Sequence, residues 1–165
     1  MSSHRYDGDI DSVTYQGRTI KVEWNNDSCY GAPWEENDCY GIVKGWQRSD
    51  KAPGEVILCT SRGDKLIYDY AGSVAKWKKE GICGQEADRY AKQSVKRLKE
   101  YLLDNWSYLF AWITIEGLEY EETLGGIESD NAADCMGDLV CEAKSAIDEH
   151  QRNLVVFMRL LMVEA

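Results

Sequence analysis

The chain has 165 residues, of which 44% are hydrophobic, and it carries six tryptophans and ten tyrosines. That length and aromatic content exclude a disordered tail and are enough to bury the core of one domain. A formal net charge of −10 argues against nucleic acid as a direct ligand, because the overall field repels phosphate.

The opening residues, MSSHRYDGDIDS, are polar and acidic. They read as a flexible or loosely packed N-terminus (residues 1–12) with no secretory leader pattern. VTYQGRTIKVEW, 13–24, alternates β-branched and aromatic residues and predicts a strand hairpin around Gln16-Gly17. Residues 25–41 form a long loop. IVKGWQR, 42–48, predicts a strand, and KAPGE, 51–55, a turn centred on Pro53-Gly54. EVILCT, 55–60, and KLIYDY, 65–70, are strand-like runs joined by SRGD, a hairpin turn. The front of the chain therefore predicts a small antiparallel sheet.

AGSVAKWKKEG, 71–81, predicts a short helix stopped by Gly81. From 86 to 104, Ala87, Tyr90, Ala91, Ser94, Val95, Leu98, Tyr101 and Leu102 recur at helical spacing. Arg89, Lys92, Lys96 and Lys99 line the opposite face of that helix. WSYLFAWITIEGLEYEE, 106–122, is an aromatic strand entering a hairpin around 117–126. Ser129 or Asp130 then caps a helix over 131–149, with Ala132, Met136, Leu139, Val140, Ala143 and Ile147 as its core face. Residues 153–163 read as either a buried helix or a buried strand, and leucine and methionine favour the helix. The apolar run 154–163, broken by Arg159, is about half of what a membrane span needs, so none is expected. Strands first and helices later predict one α+β domain over 1–165. Its antiparallel sheet has about five strands, packed by two long helices and one short helix.

The six cysteines include no C-x-x-C pair, and there are only two histidines, so a zinc or redox site has no support. They read as reduced, partly buried thiols serving as small apolar residues. No G-x-S-x-G, P-loop, H-E-x-x-H or G-x-G-x-x-G motif occurs.

The charge is uneven. Residues 1–100 hold 16 acidic and 16 basic side chains, whereas 101–165 hold 13 and 3. Asp130, Asp134, Asp138 and Glu142 repeat every four residues and form a stripe on one helix face. Glu121, Glu122 and Glu128 lie just before it. One surface could so carry a strong negative field suited to a basic protein surface. The same stripe could also be a solvated face, or lie against the basic helix 86–104.

A second crowded stretch is GAPWEENDCYG, 31–41. Asp27, Glu35, Glu36 and Asp38 place four carboxylates in twelve residues, the oxygen donors that hard cations take. The simpler reading is a structured turn. Pro33 restricts it, Gly31 and Gly41 permit unusual dihedrals, and Trp34 plugs it to the core, with recognition as a possible added role.

The D27…GAPWEENDCYG loop, Trp46, the K51-A-P-G-E turn, R62-G with Y68-D69, and G126-I-E-S-D130 occur in that order. The combination resembles a group of small uncharacterised proteins of tailed phages and prophages, over roughly residues 27–145. Members often carry histidines where this chain has Asn37 and Tyr40, so a metal role resting on those histidines is not implied here. The resemblance implies a phage origin and no established activity, and it implies neither an enzyme nor a cofactor; with no leader and no membrane span expected, the expected setting is the cytoplasm of an infected bacterial host.

Together these readings predict a non-catalytic accessory protein, monomer or homodimer, that binds and inhibits a host protein with a basic surface. A nucleic-acid-handling defence enzyme, such as a restriction or CRISPR effector, is the expected class. The alternatives are a metal-dependent hydrolase built on the 27–38 carboxylates and a self-assembling phage protein using 154–163.

Overall fold

The computed structural model describes residues 4–35 and 40–163, with the backbone alone for 160–163. Its elements are β1 (Ile10–Tyr15), β2 (Arg18–Asn26), β3 (Val43–Gln47), β4 (Glu55–Ser61), β5 (Asp64–Asp69), α1 (Tyr70–Lys79), α2 (Gly84–Leu102), β6 (Tyr108–Ile115), β7 (Glu121–Glu128) and α3 (Ala132–Val163). The architecture is mixed α and β, with antiparallel strands, as the element order predicts. The single sheet of about five strands is not what forms. The strands make two sheets, ordered β1-β2-β6-β7 and β3-β5-β4. The chain divides with them into two compact units, residues 1–28 with 107–165, and residues 29–106.

The difference has a plain cause. Alternation tells that a strand has one apolar face, but it does not name the neighbour. β2 pairs with β6, from Ile20 opposite Ile115 to Asn26 opposite Leu109. The second unit is thus inserted in the connection of a β2–β6 hairpin.

In the first unit, β2 and β6 present Ile20, Val22, Trp24, Leu109, Ala111, Ile113 and Ile115 to one side. There they meet Ala132, Leu139, Val140, Ala143 and Ile147 of α3. The helical stripe expected over 131–149 is the one buried. Residues 4–9 are tied to this sheet. The Arg5 N–H donates to the Ser129 carbonyl at 2.8 Å, and the Gly8 N–H to the Trp24 carbonyl at 2.7 Å. The Arg5 side chain, 9% exposed, donates from Nε to Asp11 Oδ2 at 2.7 Å. Trp24 Nε1 donates to the same oxygen at 2.8 Å. A buried guanidinium left without such a partner is costly, so this carboxylate holds the N-terminal segment in place.

α3 runs unbroken for 32 residues. No glycine or proline interrupts 138–163, so the helix simply continues through the segment whose type was open. That segment is helical but not buried. Beyond Ile147 the apolar face has no cover among the described residues, and Leu154, Val155, Val156, Phe157 and Met158 are 46–60% exposed. Among the described residues no helix is long and apolar enough to cross a membrane.

In the second unit, α1 and α2 pack on the three-stranded sheet around Leu58, Leu66, Tyr68, Trp77, Ala87, Ala91 and Leu98. A charged cluster fastens the start of α1. Lys44 Nζ reaches the Glu55 carboxylate and, at 3.2 Å, Asp69 Oδ2. The other Glu55 oxygen accepts the Ala52 N–H, closing the K-A-P-G-E turn. Asp69 Oδ1 accepts the Gly72 N–H at 2.8 Å and caps α1. The hydrogen bond from Lys44 is the main cause holding the Glu55 carboxyl below its ordinary range, and the bond from Gly72 does the same for Asp69.

Asp11 gives a pH-dependent expectation. Burial raises its pKa, but the hydrogen bonds from Arg5 and Trp24 and the charge of Arg5 outweigh this and hold it below the usual value. A carboxyl lowered in the folded state adds stability above its unfolded pKa, and loses it as pH falls through the folded value. Asp11→Asn should therefore cost about 1–3 kcal/mol at pH 7. In urea titrations the gap from the parent chain should hold down to about pH 5 and close below about pH 4.

Candidate functional site

The crowded loop is built as a turn over the residues described. Pro33 is fully buried. Trp34 packs edge-on against Tyr101 with ring centroids 5.8 Å apart, the plug expected of it. The Glu35 N–H donates to the Ala32 carbonyl at 2.8 Å, and its carboxylate accepts the Ala32 N–H at 3.2 Å. Gly41, at φ +92°, lies against the Tyr68 hydroxyl and Ser73 Oγ so closely that no Cβ would fit. Glu36 and Asp38 lie outside the described residues.

Asp27 belongs to the first unit and Glu35 to the second. The Asp27 N–H donates to the Tyr108 carbonyl at 3.0 Å. Its Oδ2 accepts the Gly126 N–H at 3.0 Å, beside the register shift between β6 and β7. Gly126 sits there at φ +69°, and a Cβ on Gly125 would come within 2.7 Å of that same oxygen. Asp27 is thus a clamp on β7, which takes it out of the set of free metal donors. Among the described residues no group of three or more His, Cys, Asp or Glu side chains could hold a metal ion.

The predicted acidic residues divide into two kinds. Glu128 accepts from Asn131 Nδ2 at 2.8 Å, within the turn that leads into α3, so it is partly committed to structure. Ser129 Oγ accepts the Ser107 N–H at 3.0 Å instead of capping the helix. Asp130 is half-buried in the same turn. The second kind is open to solvent: Glu121 and Glu122 on β7, and Asp134, Asp138 and Glu142 on α3. No ion pair among the described residues engages any of these five. The Tyr120 hydroxyl donates to Glu122. Burial, that bond and the nearby charges of Glu122 and Glu142 all push the Tyr120 pKa up. β7 and α3 thus bring two of the predicted acids, Glu122 and Glu142, to one phenol. Cys135 is pushed up likewise, by burial first and then by the charges of Asp134 and Asp138.

The basic helix behaves differently. Arg89 pairs with Glu86 at 3.1 Å, Lys92 with Asp88 at 2.7 Å, and Lys96 with Glu100 at 3.7 Å, all within α2. Three of its four stripe cations are thus answered within their own helix, and no ion pair among the described residues engages Lys99. The sign of the charge therefore divides by unit. The first unit contains 17 acidic and 6 basic residues, a net of −11, and the second 12 and 13, a net of +1.

A feature not read from the sequence is a cleft of about 650 Å³ in the second unit, walled by Tyr40, Trp77, Ile82 and Tyr90 and edged by Lys96 and Arg97. The rings of Trp77 and Tyr90 meet edge to face at 6.0 Å. Arg97 lies 4.2 Å over the Trp106 ring. Trp77 belongs to the core of this unit and Tyr90 packs against it, as their helical spacing predicts, but that spacing marks a face as apolar and not as concave.

No family model, curated protein or solved structure matches this chain.

Asp27→Ala should act through stability, because it leaves the Gly126 N–H without its acceptor. A loss of about 1–3 kcal/mol is expected. Thermal unfolding with and without millimolar magnesium or calcium checks this: metal should shift neither protein, and a metal-dependent stabilisation of the parent alone would contradict the clamp assignment.

Proposed function

We propose that the chain is a phage-encoded accessory protein that binds a host protein without catalysis, through the acidic surface of its first unit. The observation that carries this reading is the set of five exposed carboxylates on β7 and α3 that no ion pair among the described residues engages, in a unit of net charge −11. Like charges four apart on a helix cost roughly 0.2–0.5 kcal/mol per pair. Asp134, Asp138 and Glu142 bear that cost with no compensating pair among the described residues. A cationic partner would offset it and would be steered by the field. Host enzymes that handle nucleic acid present such cationic surfaces, and restriction or CRISPR effectors are the class proposed. The phage attribution rests on the sequence blocks from Asp27 to Asp130.

The test is capture from bacterial lysate with the parent chain and with Asp134→Lys, Asp138→Lys and Glu142→Lys combined. The parent should retain a stoichiometric partner at low salt and release it at high salt, and the reversed chain should retain none. Retention of the same partner by the reversed chain would exclude this surface.

One observation favours a second reading, self-assembly. The exposed run from Leu154 to Met158 is an apolar patch of the kind that marks contact sites. Light scattering across a hundredfold concentration range separates the two. A constant monomer mass leaves the first reading alone, and a mass that rises with concentration and falls back with Phe157→Glu supports the second.

A further inference from the structure

β7 is an edge strand, with β6 on one side only. Among the described residues no backbone hydrogen bond reaches the outer edge of residues 121–125. These five residues are all exposed. A long open edge is a template for another strand, and proteins normally blunt it. Here the edge ends at Gly126, where the Asp27 clamp holds the bulge. About half the residues before it direct both N–H and C=O outward.

The register shows what flanks that edge. Glu122 lies opposite Ile113, so it shares the sheet face covered by α3, the face of Glu142 and Tyr120. Glu121 lies opposite Thr114 and Thr123 opposite Trp112, so both occupy the other face. An added strand would therefore meet a carboxylate on each face. A second copy of β7 would bring the glutamates of both copies, and both acidic helices, to one seam, and like charges across a strand pair oppose it. A lysine- or arginine-bearing strand meets the opposite condition.

We propose that β7 receives an extended, basic segment of a partner protein by strand addition. Backbone pairing along residues 121–125 supplies register, and Glu121 and Glu122 supply selection for cationic side chains on the two faces. This mode rests on the proposed acidic docking surface and specifies how that surface engages.

The test uses the full chain and a capped ten-residue probe peptide with two adjacent central lysines in a run of valine and threonine. Calorimetry should show binding, and hydrogen exchange should slow at the amides of 121–125. N-methylation of alternate peptide amides keeps charge and shape but blocks pairing, and should weaken binding at least about tenfold. Glu121→Lys with Glu122→Lys, both at exposed positions, should lose the lysine peptide and gain its glutamate counterpart. Failure of the lysine peptide to bind, or equal affinity after N-methylation or after the double reversal, would overturn strand addition. The wider reading fails on a different result, the retention of the host partner after reversal of Asp134, Asp138 and Glu142.

Discussion

The ladder between β2 and β6 is the constraint on which the first unit depends. These are the two central strands of its sheet, and they carry most of the sheet side of its core. The whole second unit lies between them in sequence, so the pairing of Asn26 with Leu109 requires residues 29–106 to start and finish close together. Closing a longer loop adds cost only logarithmically, which is why such an insertion is tolerable. Asp27 works at the point of exit. Its N–H reaches the first residue of β6, and its carboxylate reaches the bulge of β7.

The sequence blocks that look most chemical act largely as fasteners of this kind. Glu55 closes its own turn and holds Lys44, Asp69 caps α1, Ser129 ties to Ser107, and Gly41 makes room for Tyr68 and Ser73. With these groups assigned to structural work, the exposed acids of β7 and α3 stand apart as the like-charged group of the first unit. A unit of net charge −11 repels itself, and that repulsion opposes its compact state. Its persistence alongside a near-neutral second unit is what directs the functional reading to that surface.

Local elements were legible in the sequence because their signals are local. The hairpins at Gln16-Gly17 and Arg62-Gly63, the helices near 71–81 and 86–104, and the α3 stripe from Ala132 to Ile147 all follow from period and turn chemistry. Strand partnership was not legible, because β2 and β6 each have an apolar face that would suit many neighbours. The exposure of Leu154 to Met158 was not legible either, since an apolar run reads as buried until the extent of the sheet beneath it is known. Asp27 and Glu128 were grouped by charge with neighbours that have quite different work, and only hydrogen-bond partners separate them. The cleft of Trp77 and Tyr90 was hidden because its aromatics keep the same spacing as core residues.

The docking place proposed for a partner is the first unit, across β7 and the front of α3. Hydrogen-exchange mass spectrometry of the complex with the captured host protein tests it most directly. The account predicts slowed exchange over residues 119–142 and unchanged exchange over 77–100. Slowing confined to 77–100, where the aromatic cleft lies, would contradict it.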